Sequence, residues 1–149
     1  MDKDFIVLQL QAQNSAEVIC QLGMLLLRKG CVKQGYIEAV LQRETKLPTG
    51  LELPNFSVAI PHTNPEHVRK AAFAVGVLAK PVPFHCMVAP DVTTDVHIVF
   101  LLAIKDPDKQ VELLQKLMAL FQNPSLLDGL RRAKTKEEIA TKLQHISMA

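Results

Sequence analysis

The apolar positions of this chain change their spacing several times, and each change marks an element. Phe5 to Leu10 is a short β-prone run. Asn14 then supplies a helix N-cap, with Glu17 three residues on to complete a capping box. Val18, Ile19, Leu22, Leu25 and Leu26 recur at helical spacing, and Gly30 is placed to stop the helix they define. A second helix is predicted from Gly35 to Lys46, because Ile37, Val40 and Leu41 share a face while Glu38, Gln42 and Arg43 project elsewhere. Pro48-Thr49-Gly50 ends it in a turn. Ser57 to Ile60 is a brief strand-like run cut off by Pro61, which sets His62 just beyond a strand end.

The second half opens with a turn at Asn64-Pro65 and a strand pattern from Ala71 to Leu78. Pro81-Val82-Pro83 predicts an extended connection into Phe84 to Val88, closed by Pro90 and Asp91. Asp95 to Ile104 is nearly continuous in apolar character, which suits a central strand covered on both faces. Asp106-Pro107 pairs an N-cap with proline at the first helical position, ahead of a stripe formed by Val111, Leu113, Leu114, Leu117, Leu120 and Phe121. Asn123-Pro124 repeats the device for a short helix through Leu130, and Thr135 with Glu138 caps a last helix ending near His145. No repeat or low-complexity tract interrupts the order, so a single α/β domain over residues 1–149, layered around a sheet, is the expectation.

Composition narrows the function classes. The length of 149 residues allows a core without disulfide or metal staples. A net charge of +2 with scattered signs, few aromatics and no tryptophan argues against nucleic acid, which calls for a denser basic footprint and stacking surfaces. The apolar runs Met24 to Leu27 and Ile98 to Ile104 fall far short of a membrane span, and Met1-Asp2-Lys3-Asp4 does not open a signal peptide, so a cytoplasmic location is expected. Cys20, Cys31 and Cys86 form no C-x-x-C pair and are read as reduced structural thiols. No G-x-S-x-G elbow or glycine-rich nucleotide loop occurs, and His62, His67, His85, His97 and His145 lack metal-ligand spacing; neither a cofactor nor a metal is expected. His97 and His85 read as strand histidines packed or hydrogen-bonded beside the sheet, and His145 as a helix-end residue.

The stretch with chemistry in it is Pro48 to Thr63. Pro61 fixes its own φ and has no N–H, so an interior strand cannot run on through it, and the imidazole of His62 is displayed on a restrained backbone. A neutral imidazole has one nitrogen free to attack phosphorus and another free to donate the hydrogen bond that fixes its tautomer. Taken alone, His62 reads more readily as an ordinary surface histidine behind a strand.

A wider set of segments alters that balance: Arg43-Glu44 after a helix, Pro48-Thr49-Gly50-Leu51, Val58-Ala59-Ile60-Pro61-His62-Thr63, Pro81-Val82-Pro83-Phe84, and Phe100-Leu101-Leu102-Ala103 before a helix. Through them the chain resembles, over nearly its full length, the fructose, mannitol and galactitol class of enzyme IIA domains of the bacterial sugar phosphotransferase system. The resemblance implies a mixed, mostly parallel β-sheet flanked by helices. It implies that His62 accepts phosphate from phospho-HPr and passes it to a cysteine of the cognate IIB component, with the membrane IIC component involved only indirectly. It makes Arg43 the active-site arginine, whose forked donors offset phosphate charge, although a solvated helix-end arginine fits the same pattern. Many members carry a second histidine where this chain has Gln110, within Gln110-Val111-Glu112-Leu113-Leu114. A glutamine donates to a phosphate oxygen but carries no proton or positive charge, and galactitol-type domains look similar in having one there; a plain polar first-turn residue is the other reading. Glu44 must orient something rather than touch a phosphate, and Thr49 and Thr63 either donate hydroxyl hydrogen bonds or serve in turns and caps. Leu53, Phe56 and Val82 are candidates for an apolar docking collar or for core. A regulatory IIA-like module, whose His62 phosphorylation state controls a transcription factor or enzyme, is the alternative function.

Overall fold

A computed structural model of the chain describes residues 1–146; positions 147–149, the end of the one-domain span expected above, lie outside the described residues. Five strands form one sheet: β1 (Ile6–Leu10), β2 (Gly50–Leu51), β3 (Ser57–Ala59), β4 (Ala72–His85) and β5 (Thr93–Ala103), in the order β1-β4-β5-β3-β2. The sheet is mixed, with β1 parallel to β4, β3 parallel to β5, β4 antiparallel to β5 and β2 antiparallel to β3. Helices α1 (Ser15–Arg28) and α2 (Tyr36–Lys46) cover one face; α3 (Pro107–Phe121), α4 (Pro124–Arg132) and α5 (Lys136–Lys142) cover the other.

The middle strand explains its own sequence. In β5, Val99, Leu101 and Ala103 join the core under α1 and α2, while Ile98, Phe100 and Leu102 join the core under α3 to α5. Successive strand residues point to opposite faces, so a strand covered twice must be apolar at every position. Val96 and each residue from Ile98 to Ile104 are buried.

Local capping chemistry sets the helix ends. Asn14 Oδ1 accepts from the Glu17 N–H at 2.9 Å, and Glu17 Oε2 accepts from the Gln13 N–H at 2.8 Å. Gly30 follows α1 at φ +73°, the left-handed conformation that glycine adopts without strain. Asp106, Asn123 and Thr135 each accept a first-turn N–H, with Pro107 and Pro124 at the first helical positions. The last helix stops at Lys142, short of the His145 boundary read from the sequence.

Two sequence expectations change here. Pro81-Val82-Pro83 is no separate connection: β4 runs through it to His85. Between Val77↔Ile98 and Val82↔Val96 the register advances five positions on β4 and two on β5, a bulge that frees the chain from the ladder where Pro81 cannot donate. The turn at Pro48-Thr49-Gly50 also ends earlier than expected, because Gly50 already belongs to β2.

Beyond that bulge, β4 returns to the edge strand. Gly50 bridges to Cys86, and Gly50 O accepts from the Met87 N–H at 2.8 Å. This covers part of an edge otherwise open to unwanted pairing. The approach leaves no room for a side chain, since a Cβ on Gly50 would stand 2.6 Å from the main-chain oxygen of His85. Gly50→Ala is therefore expected to destabilise the fold by roughly 1–3 kcal/mol, the range for overpacking. Urea unfolding should show a lower midpoint at an unchanged m value, and an unaltered midpoint would contradict the close contact.

Candidate functional site

Topology brings the candidate residues to one edge of the sheet. Strands β3 and β5 run parallel, with Ala59 opposite Val99, so the segments after them leave in the same direction. Strand β2 runs against β3, with Gly50 opposite Ala59, so the end of α2 and the turn through Thr49 enter at that edge. The segment carrying His62 is held by main-chain bonds on both sides: Thr49 O accepts from Ile60 N–H at 3.4 Å, and Pro61 O accepts from Leu102 N–H at 3.0 Å. Beneath it the Tyr36 hydroxyl donates to Leu102 O at 2.6 Å. Tyr36 is fully buried, and burial pushes its phenol above the ordinary tyrosine range, keeping it a neutral donor.

His62 is half-buried, with Nδ1 2.8 Å from the carbonyl oxygen of Ile60. A carbonyl only accepts, so Nδ1 carries the hydrogen in this arrangement and Nε2 carries the lone pair. Burial holds the His62 pKa below the ordinary value of 6.5 and the Arg43 charge pushes the same way, against the opposing pull of the Ile60 carbonyl. The imidazole is thus neutral at pH 7, with Nε2 unprotonated.

Arg43 lies in the last turn of α2, half-buried and near enough to His62 for its charge to act on the ring. Its Nε is buried and finds no hydrogen-bond partner among the described residues. Glu44, the next residue, is fully engaged: Oε2 accepts from the Thr49 N–H at 2.9 Å and Oε1 from the Thr49 hydroxyl at 2.8 Å. Burial raises the Glu44 pKa, while the two Thr49 donors and the nearby His85 oppose that shift. The Thr49 hydroxyl hydrogen is therefore spent on Glu44. Thr63 is buried one position past His62.

Gln110 sits half-buried in the first turn of α3, which follows β5 out of the same edge; its N–H is accepted by Asp106 O at 2.9 Å. Among the described residues no hydrogen bond joins its amide to His62. Of the suggested collar, Phe56 and Val82 belong to the two cores and only Leu53 is half-exposed, so these three do not form a docking rim. Phe56 instead packs against the His97 ring, and the Arg131 guanidinium lies over the Phe56 ring, 5.4 Å from its centre. His85 is exposed, its Nδ1 2.8 Å from Pro90 O.

Two contributors escaped the sequence reading. Tyr36, the one tyrosine of the chain, was available as a signal, since a tyrosine on the buried face of a helix needs a partner for its hydroxyl. The pairing of Glu44 with Thr49 depends on how the chain leaves α2, which no periodicity reports. Cys31 and Cys86 are buried, Cys20 is half-buried, and all three thiols are free. Among the described residues no three His, Cys, Asp or Glu side chains group to hold a metal, and no helix is long and apolar enough to cross a membrane.

A mixed sheet with helices on both faces and a neutral histidine under the charge of an arginine at one edge defines a layered α/β domain with an imidazole in reach of a cation. Residues 1–146 match the family model described as "Phosphoenolpyruvate-dependent sugar phosphotransferase system, EIIA 2", and the chain belongs to that family, whose members are phosphotransferases. It is 30% identical over 117 residues to the galactitol-specific EIIA component of the Escherichia coli K12 system, covering 78% of this chain and 77% of that protein. It is 28% identical over 144 residues to the transcriptional regulator ManR of Bacillus subtilis, covering 95% of this chain and 20% of the regulator. Its fold matches enzyme IIAMtl, solved in complex with phosphorylated enzyme IIBMtl from Escherichia coli, at a TM-score of 0.79 and 21% identity over 97% of each chain.

The depressed pKa of His62 gives a signed prediction. The native state binds fewer protons than the unfolded chain between the two His62 pKa values, so stability falls as pH drops from about 6.5 through the native value. An NMR titration of the imidazole should place its midpoint below 6.5, and Arg43→Gln should raise it. A native midpoint at or above 6.5 would overturn the neutral-imidazole assignment.

Proposed function

We propose that His62 is the phosphoryl carrier of this IIA domain, taking the group from phospho-HPr on Nε2 and passing it to a cysteine of a cognate IIB protein in the cytoplasm. The observation that carries this reading is the Nδ1 contact to Ile60 O, which leaves the lone pair on Nε2, in a ring that feels the Arg43 charge. In the first step the lone pair forms an N–P bond as the donor's bond to phosphorus breaks and its electron pair returns to the donor. In the second, a IIB thiolate forms the S–P bond while the Nε2–P pair returns to the imidazole. Positioning and charge neutralisation supply most of the catalysis in such transfers. Arg43 is proposed to take the phosphoryl oxygens, its unpartnered Nε–H among the donors, and Gln110 to offer an uncharged amide from α3.

Similarity to a galactitol-specific EIIA component supports galactitol as the sugar, with the membrane IIC protein touched only through IIB. The regulatory alternative draws on the likeness to ManR, which spans most of this chain. The two separate on the fate of the phosphate. Incubated with labelled phosphoenolpyruvate and the upstream proteins, the wild type should gain an acid-labile, alkali-stable phosphate and His62→Ala should gain none. Label retained by His62→Ala would refute the carrier assignment. Rapid transfer to the galactitol IIB protein, ahead of the fructose and mannitol ones, is the expected second result, and no transfer to any of them would favour the regulatory role.

A further inference from the structure

We propose that Glu44 is a positioning residue for the reaction at His62, acting through Thr49 and the main chain of Ile60 without touching the phosphoryl group. This rests on the reading of His62 as the phosphoryl acceptor. Both carboxylate oxygens of Glu44 are occupied, one by the Thr49 N–H and one by the Thr49 hydroxyl, at 2.9 and 2.8 Å. That pair of bonds fixes the plane and height of the Thr49 peptide where the chain turns from α2 into β2. Thr49 O then accepts from Ile60 N–H at 3.4 Å, and Ile60 O stands 2.8 Å from His62 Nδ1. Four hydrogen bonds thus run from the carboxylate to the non-reacting nitrogen of the imidazole.

Each link has a chemical consequence. The carbonyl of Ile60 selects the tautomer whose Nε2 carries the lone pair, so its position decides which nitrogen attacks. The Thr49–Ile60 bond is the longest in the series and gives the least restraint by itself. Clamping Thr49 from the far side compensates for that weakness. Burial raises the Glu44 pKa and the two Thr49 donors act against that shift, so the same pair of bonds that fixes the Thr49 peptide also favours the ionised carboxylate. Each carboxylate oxygen of Glu44 accepts one Thr49 donor, so the side chain is oriented toward the Thr49 peptide.

The test uses Glu44→Gln, Thr49→Val and Thr49→Ser in the full chain. Glu44→Gln replaces one acceptor oxygen by a donor, Thr49→Val removes the hydroxyl, and Thr49→Ser keeps both donors. Imidazole ¹⁵N shifts of unphosphorylated protein report the His62 tautomer independently of any partner or transfer step. Glu44→Gln and Thr49→Val should lose part of the Nδ1–H population, and Thr49→Ser should restore it. The phosphorylation rate at saturating phospho-donor should fall about tenfold to a hundredfold in the first two, the scale expected for a misplaced reacting group, with the donor KM little altered. A folded Glu44→Gln protein with wild-type tautomer shifts and a rate within twofold would overturn the proposal. Should Glu44→Gln fail to fold, equal tautomer populations in Thr49→Val and Thr49→Ser would overturn it instead. Failure of the carrier reading shows separately, as label that survives His62→Ala.

Discussion

The site hangs on the main chain of one residue in the middle strand. Leu102 donates its N–H to Pro61 O, and its carbonyl accepts the Tyr36 hydroxyl. Because β5 is buried on both faces, Leu102 cannot shift without disturbing two cores. The peptide before His62 is therefore referenced to the most rigid part of the molecule, although His62 itself stands outside any strand. Pro61 fits this arrangement: it needs no partner for an N–H it lacks, while its carbonyl still joins the ladder. A buried phenol completes the tie from α2, so a helix on one face and the central strand together hold the histidine's turn.

Electrostatics at the edge favour a carrier over a permanent phosphate trap. A buried donor without a partner costs about 1–3 kcal/mol, and the Arg43 Nε is in that position before any anion arrives. Placing a phosphoryl oxygen there would recover that energy, which favours loading. In the proposed role the neutral imidazole would work in the same direction, since no proton must leave before attack. Release has to remain easy as well, and every ~1.4 kcal/mol of extra stabilisation shifts the equilibrium about tenfold toward retention. In the proposed roles, one guanidinium with an uncharged Gln110 amide in place of a second cation would hold an anion more gently than two charges.

Those parts of the fold written in local chemistry were legible from the chain. Asn14 with Glu17, Asp106 with Pro107 and Asn123 with Pro124 each announce a helix start because the capping group and the capped N–H lie within three residues. The doubly covered strand was legible because burial on both faces leaves a continuous apolar run. What failed depended on pairing at a distance. Pro81 looks like a strand breaker until the bulge before Val82 removes the demand for its missing N–H group, and Pro83 then resumes the ladder opposite Asp95. Phe56 and Val82 were candidates for a docking collar, but apolar character alone does not distinguish a docking rim from core, and both are buried. The histidine was marked by Pro61 and by family resemblance; its tautomer and its supports come only from geometry.

Adjacent Arg43 and Glu44 show how one helix end serves two needs. Neighbours along a helix point about 100° apart and do not face one another, so a guanidinium and a carboxylate side by side in sequence need not neutralise each other. Arg43 acts on the His62 ring, while Glu44 turns to Thr49. Were the two to pair, the arginine would lose the donors a phosphate requires, and the Thr49 peptide would lose its clamp. Keeping them apart requires that each side chain be constrained independently, Glu44 by two hydrogen bonds and Arg43 by burial of its Nε. The same peptide turn that separates them carries Gly50, where β4 closes against the edge strand so tightly that no side chain fits. Charge placement at the histidine is in this way linked to the packing of the far end of the sheet's longest strand.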